Sequence, residues 1–196
     1  METTWTQDVV KITVVRLIVV ALTIAAFGSI FFRLSIFDLR VLPSQFVTSG
    51  IAASVCYAAL ASPHRRDVII ALIAWFLVLT FLVGRFALSQ ANVNAGYVAG
   101  VGAAVTMYNR FVAREVVRGG VQRVASAGVL MGLANAVIMV YIGLFSWRTV
   151  FASTGFFASM VFRNLQIGTL VGIAFGLGAE LAGYVLRKMS RNANAE

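Results

Sequence analysis

Six runs of about 20 apolar residues, parted by short polar or basic connections, leave this chain few ways to fold. They cover residues 12–32, 44–62, 68–88, 93–113, 124–147 and 165–186. A helix of that length matches the hydrocarbon thickness of a bilayer, and inside hydrocarbon every backbone N–H and C=O must be bonded within the structure, which a helix does unaided. Barrel strands would show short dyad alternation instead. The expectation is an all-α polytopic membrane helix bundle, a single integral membrane domain over residues 1–196 with six transmembrane helices. Only 12% of the residues are charged, about half the usual share, so no soluble domain fits beside the spans. Lys11 and Arg16 precede an apolar run with no clean small-residue cleavage site, which reads as an uncleaved first helix.

The connections carry the bases. Eleven of them fall on one side of a six-span arrangement: Lys11, Arg16, Arg65, Arg66, Arg110, Arg114, Arg118, Arg123, Arg187, Lys188 and Arg191. Five fall on the other: Arg33, Arg40, Arg85, Arg148 and Arg163. The bias predicts both termini in the cytoplasm of a bacterial-type inner (plasma) membrane. It also explains the net charge of +9 as membrane topology, so nucleic acid is not expected as a partner. Pro43 suits the first turn of the second helix, and Pro63 ends the helix before it within the turn Ser62–Asp67. Gly119-Gly120 breaks the basic connection between the fourth and fifth spans. Residues 149–164 are apolar but interrupted by Ser153, Thr154, Gly155 and Ser159. They read as a re-entrant or interfacial segment, because a seventh span would carry Arg187, Lys188 and Arg191 outside.

Small residues four apart form seams. Gly96, Gly100 and Ala104 lie on the fourth helix, Gly128, Gly132 and Ala136 on the fifth, and Gly168, Gly172 and Gly176 on the sixth. Such rows let helices approach closely in lipid, as packing within the bundle or as contacts to another subunit. The tightest core is therefore expected among the fourth, fifth and sixth helices.

The sixth row ends in Glu180, the only acid inside an expected span. It should face protein or water. Arg16 is expected at similar depth, so Arg16 and Glu180 are candidates for an intramembrane pair, with Asn135 and Tyr108 extending the network. A protonated Glu180 and a proton- or cation-coupled site remain open. On the opposite side Arg85, Gln90, Asn92 and Asn94 share a level with Arg163, Asn164 and Gln166. If the sixth helix starts there, its free N–H groups and the arginines suit a carboxylate or phosphate. The alternative is an ordinary polar interface with headgroups. One histidine, His64, and one cysteine, Cys56, leave no metal site, and no cofactor or enzymatic constellation is expected.

The stretch Asn109-Arg110-Phe-Val-Ala-Arg114, followed by Ala127-Gly128-Val-Leu-Met-Gly132-Leu-Ala-Asn135-Ala136 and Gly176-Leu-Gly178-Ala-Glu180-Leu, resembles the membrane module of bacterial seven-transmembrane receptors that carry HD phosphohydrolase domains. The likeness covers residues 94–188. It implies a sensor module whose output, with no such domain after Lys188, comes from a partner. Length, inward termini and Ala21-x-x-x-Ala25 also resemble the substrate-binding membrane subunits of energy-coupling-factor vitamin transporters, in which that first-helix face meets a shared transmembrane subunit. The resulting expectation is a non-enzymatic integral membrane subunit that binds or helps move a small solute. Its partners would be the lipid bilayer and another membrane or cytoplasmic protein subunit, or a second copy of itself. A sensor module and a structural subunit of a membrane complex are the alternatives.

Overall fold

A computed structural model describes residues 2–33, 42–83, 91–113, 119–145 and 154–193. All elements among these residues are helical. They are α1 (Glu2–Arg33), α2 (Leu42–Ala59), α3 (Arg65–Leu77), α4 (Ala91–Met107), α5 (Gly120–Phe145) and α6 (Thr154–Ala193). A π-helical stretch, Val78–Val83, continues α3, and another, Tyr108–Val112, continues α4.

Paired positions set the helix directions. Gly28 faces Phe46, Gly50 faces Ile24, and Arg16 reaches Tyr57, so α1 and α2 run antiparallel. The tight turn after Ala59 reverses the chain into α3, with Ser62 bonded to Asp67 of the first α3 turn. Tyr97 meets Asn164 and Tyr108 meets Phe175, so α4 and α6 run parallel. Gly172 faces Ala127 and Arg123 meets Glu180, so α5 and α6 are antiparallel. The helices thus alternate in direction. The start of α1, the α2–α3 turn, the end of α4, the start of α5 and the end of α6 gather at one end of the bundle. That end carries Lys11, Arg16, Arg65, Arg66, Arg110, Arg123, Arg187, Lys188 and Arg191, while Arg163 lies at the other.

The core is built around α6. Its most extensive contact is with α5, followed by α1. The backbones meet closely: a methyl group on Gly172 would overlap the Ala127 carbonyl oxygen, and one on Gly176 would stand 2.9 Å from the Val124 Cα. On Gly168 it would lie 2.5 Å from the Met131 carbonyl oxygen. Gly128 and Gly132 receive Ile173 and Thr169 from the other side, and Gly96 and Gly100 of α4 face Ile138 of α5. Gly178 faces Val20 of α1. The expected trio of fourth, fifth and sixth helices is corrected here: α1 joins α6 more broadly than α4 does, because Gly178, two residues beyond Gly176, opens a second small-residue face on the opposite side of α6.

Two boundaries also differ from expectation. α6 begins at Thr154, so residues 154–164 are its first turns and not a separate re-entrant segment. No proline follows Pro63, and serines and threonines in an apolar helix bond back to their own backbone, so nothing stops the helix. Residues 149–153 lie outside the described residues. At the other boundary α5 begins at Gly120, one turn before the expected residue 124.

Three described helices are long and apolar enough to cross a membrane: Asp8–Ile30, Gly120–Gly143 and Phe157–Asn192. Phe46–Ala59 is a shorter apolar helix. The outward faces are apolar, through Val14, Ile18 and Leu22 of α1, Ile69, Ile70 and Ile73 of α3, and Val129, Leu133 and Val137 of α5. α3 itself contributes no buried residue, though Leu79 and Thr80 of its π stretch are buried.

Candidate functional site

Most polar side chains inside the helices are satisfied on their own helix. Thr13, Thr23, Ser54, Thr106 and Thr169 each donate to the carbonyl four residues earlier, at 2.7–2.9 Å. The amides of Asn135 and Asn164 do the same to Met131 and Met160, at 2.9 Å. Such bonds need no neighbour. The informative groups are those that reach between helices, and they concentrate at the basic end.

Arg123 lies in the first turn of α5. Its Nε stands 2.5 Å from Glu180 Oε1 and its Nη2 2.7 Å from Oε2, a two-pronged grip. The two side chains are 22% and 28% exposed. The α5 N-terminus adds its free N–H groups nearby, with Gly120 beside Oε2. Tyr108, in the π stretch that ends α4, is buried near the same carboxylate. Its ring meets Phe175 edge-on, with centroids 5.2 Å apart, and Phe175 meets Tyr57 edge-on at 5.5 Å. The Arg16 guanidinium lies 4.7 Å over the Tyr57 ring and donates from Nη1 to the Tyr57 carbonyl at 3.4 Å. Its Nε is buried without a hydrogen-bond partner. Arg16, Tyr57, Phe175, Tyr108, Glu180 and Arg123 therefore bring five helices together at one level.

The expected Arg16–Glu180 pair is corrected by this geometry. Glu180 belongs to Arg123, because the extra turn of α5 carries that arginine into the bundle. Arg16 is held instead by an aromatic face. Asn135 takes no part in the cluster; it bonds to Met131 and presses against Gly168. With both oxygens of Glu180 engaged, the cluster is a clasp between the first turn of α5 and the last helix.

At the other end Tyr97 donates to Asn164 Oδ1 at 2.6 Å, and Asn164 is buried. Arg163 is exposed and Gln166 half-buried. Arg85 and Gln90 lie outside the described residues, as do the side chains of Asn92 and Asn94. The expected helix N-terminus at Arg163–Gln166 is not there. With α6 starting at Thr154, those N–H groups bond within the helix and are not offered to an anion.

Two apolar grooves open on the bundle surface. One of about 680 Å³ lies between α4 and α5, floored by Gly96, Gly100 and Ala134 and walled by Leu133, Val137 and Tyr141. The other, about 360 Å³, lies between α1 and α2 and includes Ala21, Ala25 and Gly28. No group of three or more His, Cys, Asp or Glu that could hold a metal occurs among the described residues.

Sequence reasoning missed Tyr57, Tyr97, Phe175 and the role of Arg123. The signal for Arg123 was its place directly before the apolar run that resumes at Val124, where one more helical turn carries it into the bundle. Tyr97 stood beside Gly96 on a seam of small residues, an unusual place for a bulky polar tip. Compared with family models, curated proteins and solved structures, the chain shows no match.

Proposed function

We propose that this chain is a non-enzymatic integral membrane subunit of six spans that binds a small apolar solute and works through a partner protein. The α4–α5 groove carries the reading. Its volume of about 680 Å³ is that of a ligand pocket, and its walls are apolar with one tyrosine at the end. The six-span count is supported by the alternating directions. α1 and α5 run the same way, so the chain between them must return across the bundle. With their π stretches, α3 and α4 cover residues 65–83 and 91–112, about 28 and 33 Å of helix. The glycine rows then act as membrane packing seams, which suits a rigid frame around a groove. The basic end faces the cytoplasm of an inner membrane.

Native mass spectrometry of the detergent-purified protein tests this. The expected result is a retained apolar small molecule, lost on Ala103→Phe, which fills the groove from an exposed position without touching a helix contact. Retention that is unchanged in Ala103→Phe would end the groove assignment. A sensor module is the competing reading. It is favoured by the Arg123–Glu180 clasp, which links the first turn of α5 to α6 within the stretch that resembles receptor modules. Co-purification with a kinase or cyclase in place of a transport ATPase would favour it.

A further inference from the structure

The outward face of α6 changes character along its length. Leu177 and Leu181 are exposed, then Tyr184, then Arg187, Lys188 and Arg191. Helical spacing keeps Leu177, Leu181, Tyr184, Lys188 and Arg191 on one side. Arg187 folds back over Gly183, toward Glu180. Lys188 and Arg191 have no acidic partner among the described residues, and no described acid follows Glu180. Tyr184, Arg187, Lys188, Arg191 and Asn192 line a recess of about 440 Å³.

We propose that these last turns of α6 bind the phosphate of an anionic lipid headgroup. Lys188 and Arg191 supply the charge, Asn192 an amide donor, and Tyr184 sits where tyrosines favour the water–hydrocarbon boundary. The source is a lipid and not a soluble phosphate, because Tyr184 at the recess lies about one turn beyond the exposed Leu181 and Leu177 on the same side of the helix, an apolar track for an acyl chain of the same molecule. The helix is long enough for this: 40 residues span about 60 Å, twice the hydrocarbon thickness, so its basic end stands among headgroups. The inference rests on the membrane reading above.

The test titrates the full-length protein in detergent with phosphatidylglycerol or phosphatidylcholine of identical acyl chains and counts bound lipid by native mass spectrometry. Each base near the surface is worth about fivefold, so the unmodified protein should prefer phosphatidylglycerol by roughly tenfold or more. Lys188→Gln with Arg191→Gln should bring that preference to within about twofold. Lys188→Arg with Arg191→Lys should keep it, as should Arg65→Gln with Arg66→Gln, which removes equal charge elsewhere. Equal loss in both Gln pairs would reduce the effect to net charge and overturn the site. Absence of any preference in the unmodified protein would overturn it too. Displacement of the lipid by millimolar inorganic phosphate would overturn the lipid assignment. A protein that stays monodisperse with neither detergent nor lipid would defeat the membrane reading itself, a separate outcome.

Discussion

Glu180 shows how one side chain can be legible while its partner is not. A lone acid at the end of a glycine row in an apolar run has to face protein or water and not lipid, and that much follows from composition and spacing. Its partner depends on helix rotation and on one turn of α5, neither of which residue counting supplies. Arg16 has the right depth, but its guanidinium is spent on Tyr57; Arg123 has the right direction. The strength of the clasp lies between two limits. Exposed pairs are worth about 0.2–1 kcal/mol, and breaking a fully buried pair costs about 3–5 kcal/mol. At 22% and 28% exposure, with a two-pronged grip, a double-mutant cycle on Arg123→Gln and Glu180→Gln should give a coupling of about 1–3 kcal/mol by thermal or denaturant unfolding in detergent. The same cycle on Arg16→Gln and Glu180→Gln should give a smaller value. The reverse ranking would restore the Arg16 pairing.

At the level of elements, the α5–α6 seam holds the fold's centre. In lipid, burial from the surroundings gains little, so contact distance decides helix association. Gly172 has a backbone carbonyl where its Cβ would be, and backbone cannot swing aside as a side chain can. Gly172→Ala should therefore cost about 1–3 kcal/mol, as overpacking does, although alanine is the better helix former. Gly155, on the same helix, meets nothing within 4 Å. Gly155→Ala should be neutral or stabilising by up to about 1 kcal/mol. Melting temperatures of the two variants, measured side by side in one detergent, check this; equal shifts would mean that the seam carries no special load. The seam's residues could be picked from the sequence because a spacing of four is a local property. The start of α6 could not. Ser153, Thr154, Gly155 and Ser159 look like a break, but a helix ends only where something better competes for its backbone. Ser159 and Thr154 are no such competitor, and Gly155 sits in the first turn, where its flexibility costs least.

For the whole molecule, directions matter more than spans counted one by one. Length and hydropathy mark only α1, α5 and α6 as crossing helices among the described residues, with α2 shorter. Three crossings alone would put the chain's two ends on opposite sides. The contacts place the start of α1 beside the end of α6, level with the clasp, and set α1 and α5 parallel. Those two facts are compatible with a bilayer only if the α2–α4 region crosses an odd number of times. Six crossings satisfy this, three do not. Single-cysteine labelling separates the cases, and the background is quiet because the only cysteine, Cys56, is buried. Cysteines at Asp8, His64 and Ser190 should all react with a membrane-impermeant maleimide only after intact cells are permeabilised, whereas one at Gly155 should react beforehand. Opposite behaviour of positions 8 and 190 would rule out an even number of crossings and with it the alternating bundle. Labelling of 8, 64 and 190 together in intact cells would keep the bundle but invert it, setting its basic end outside against the charge bias that orients membrane helices.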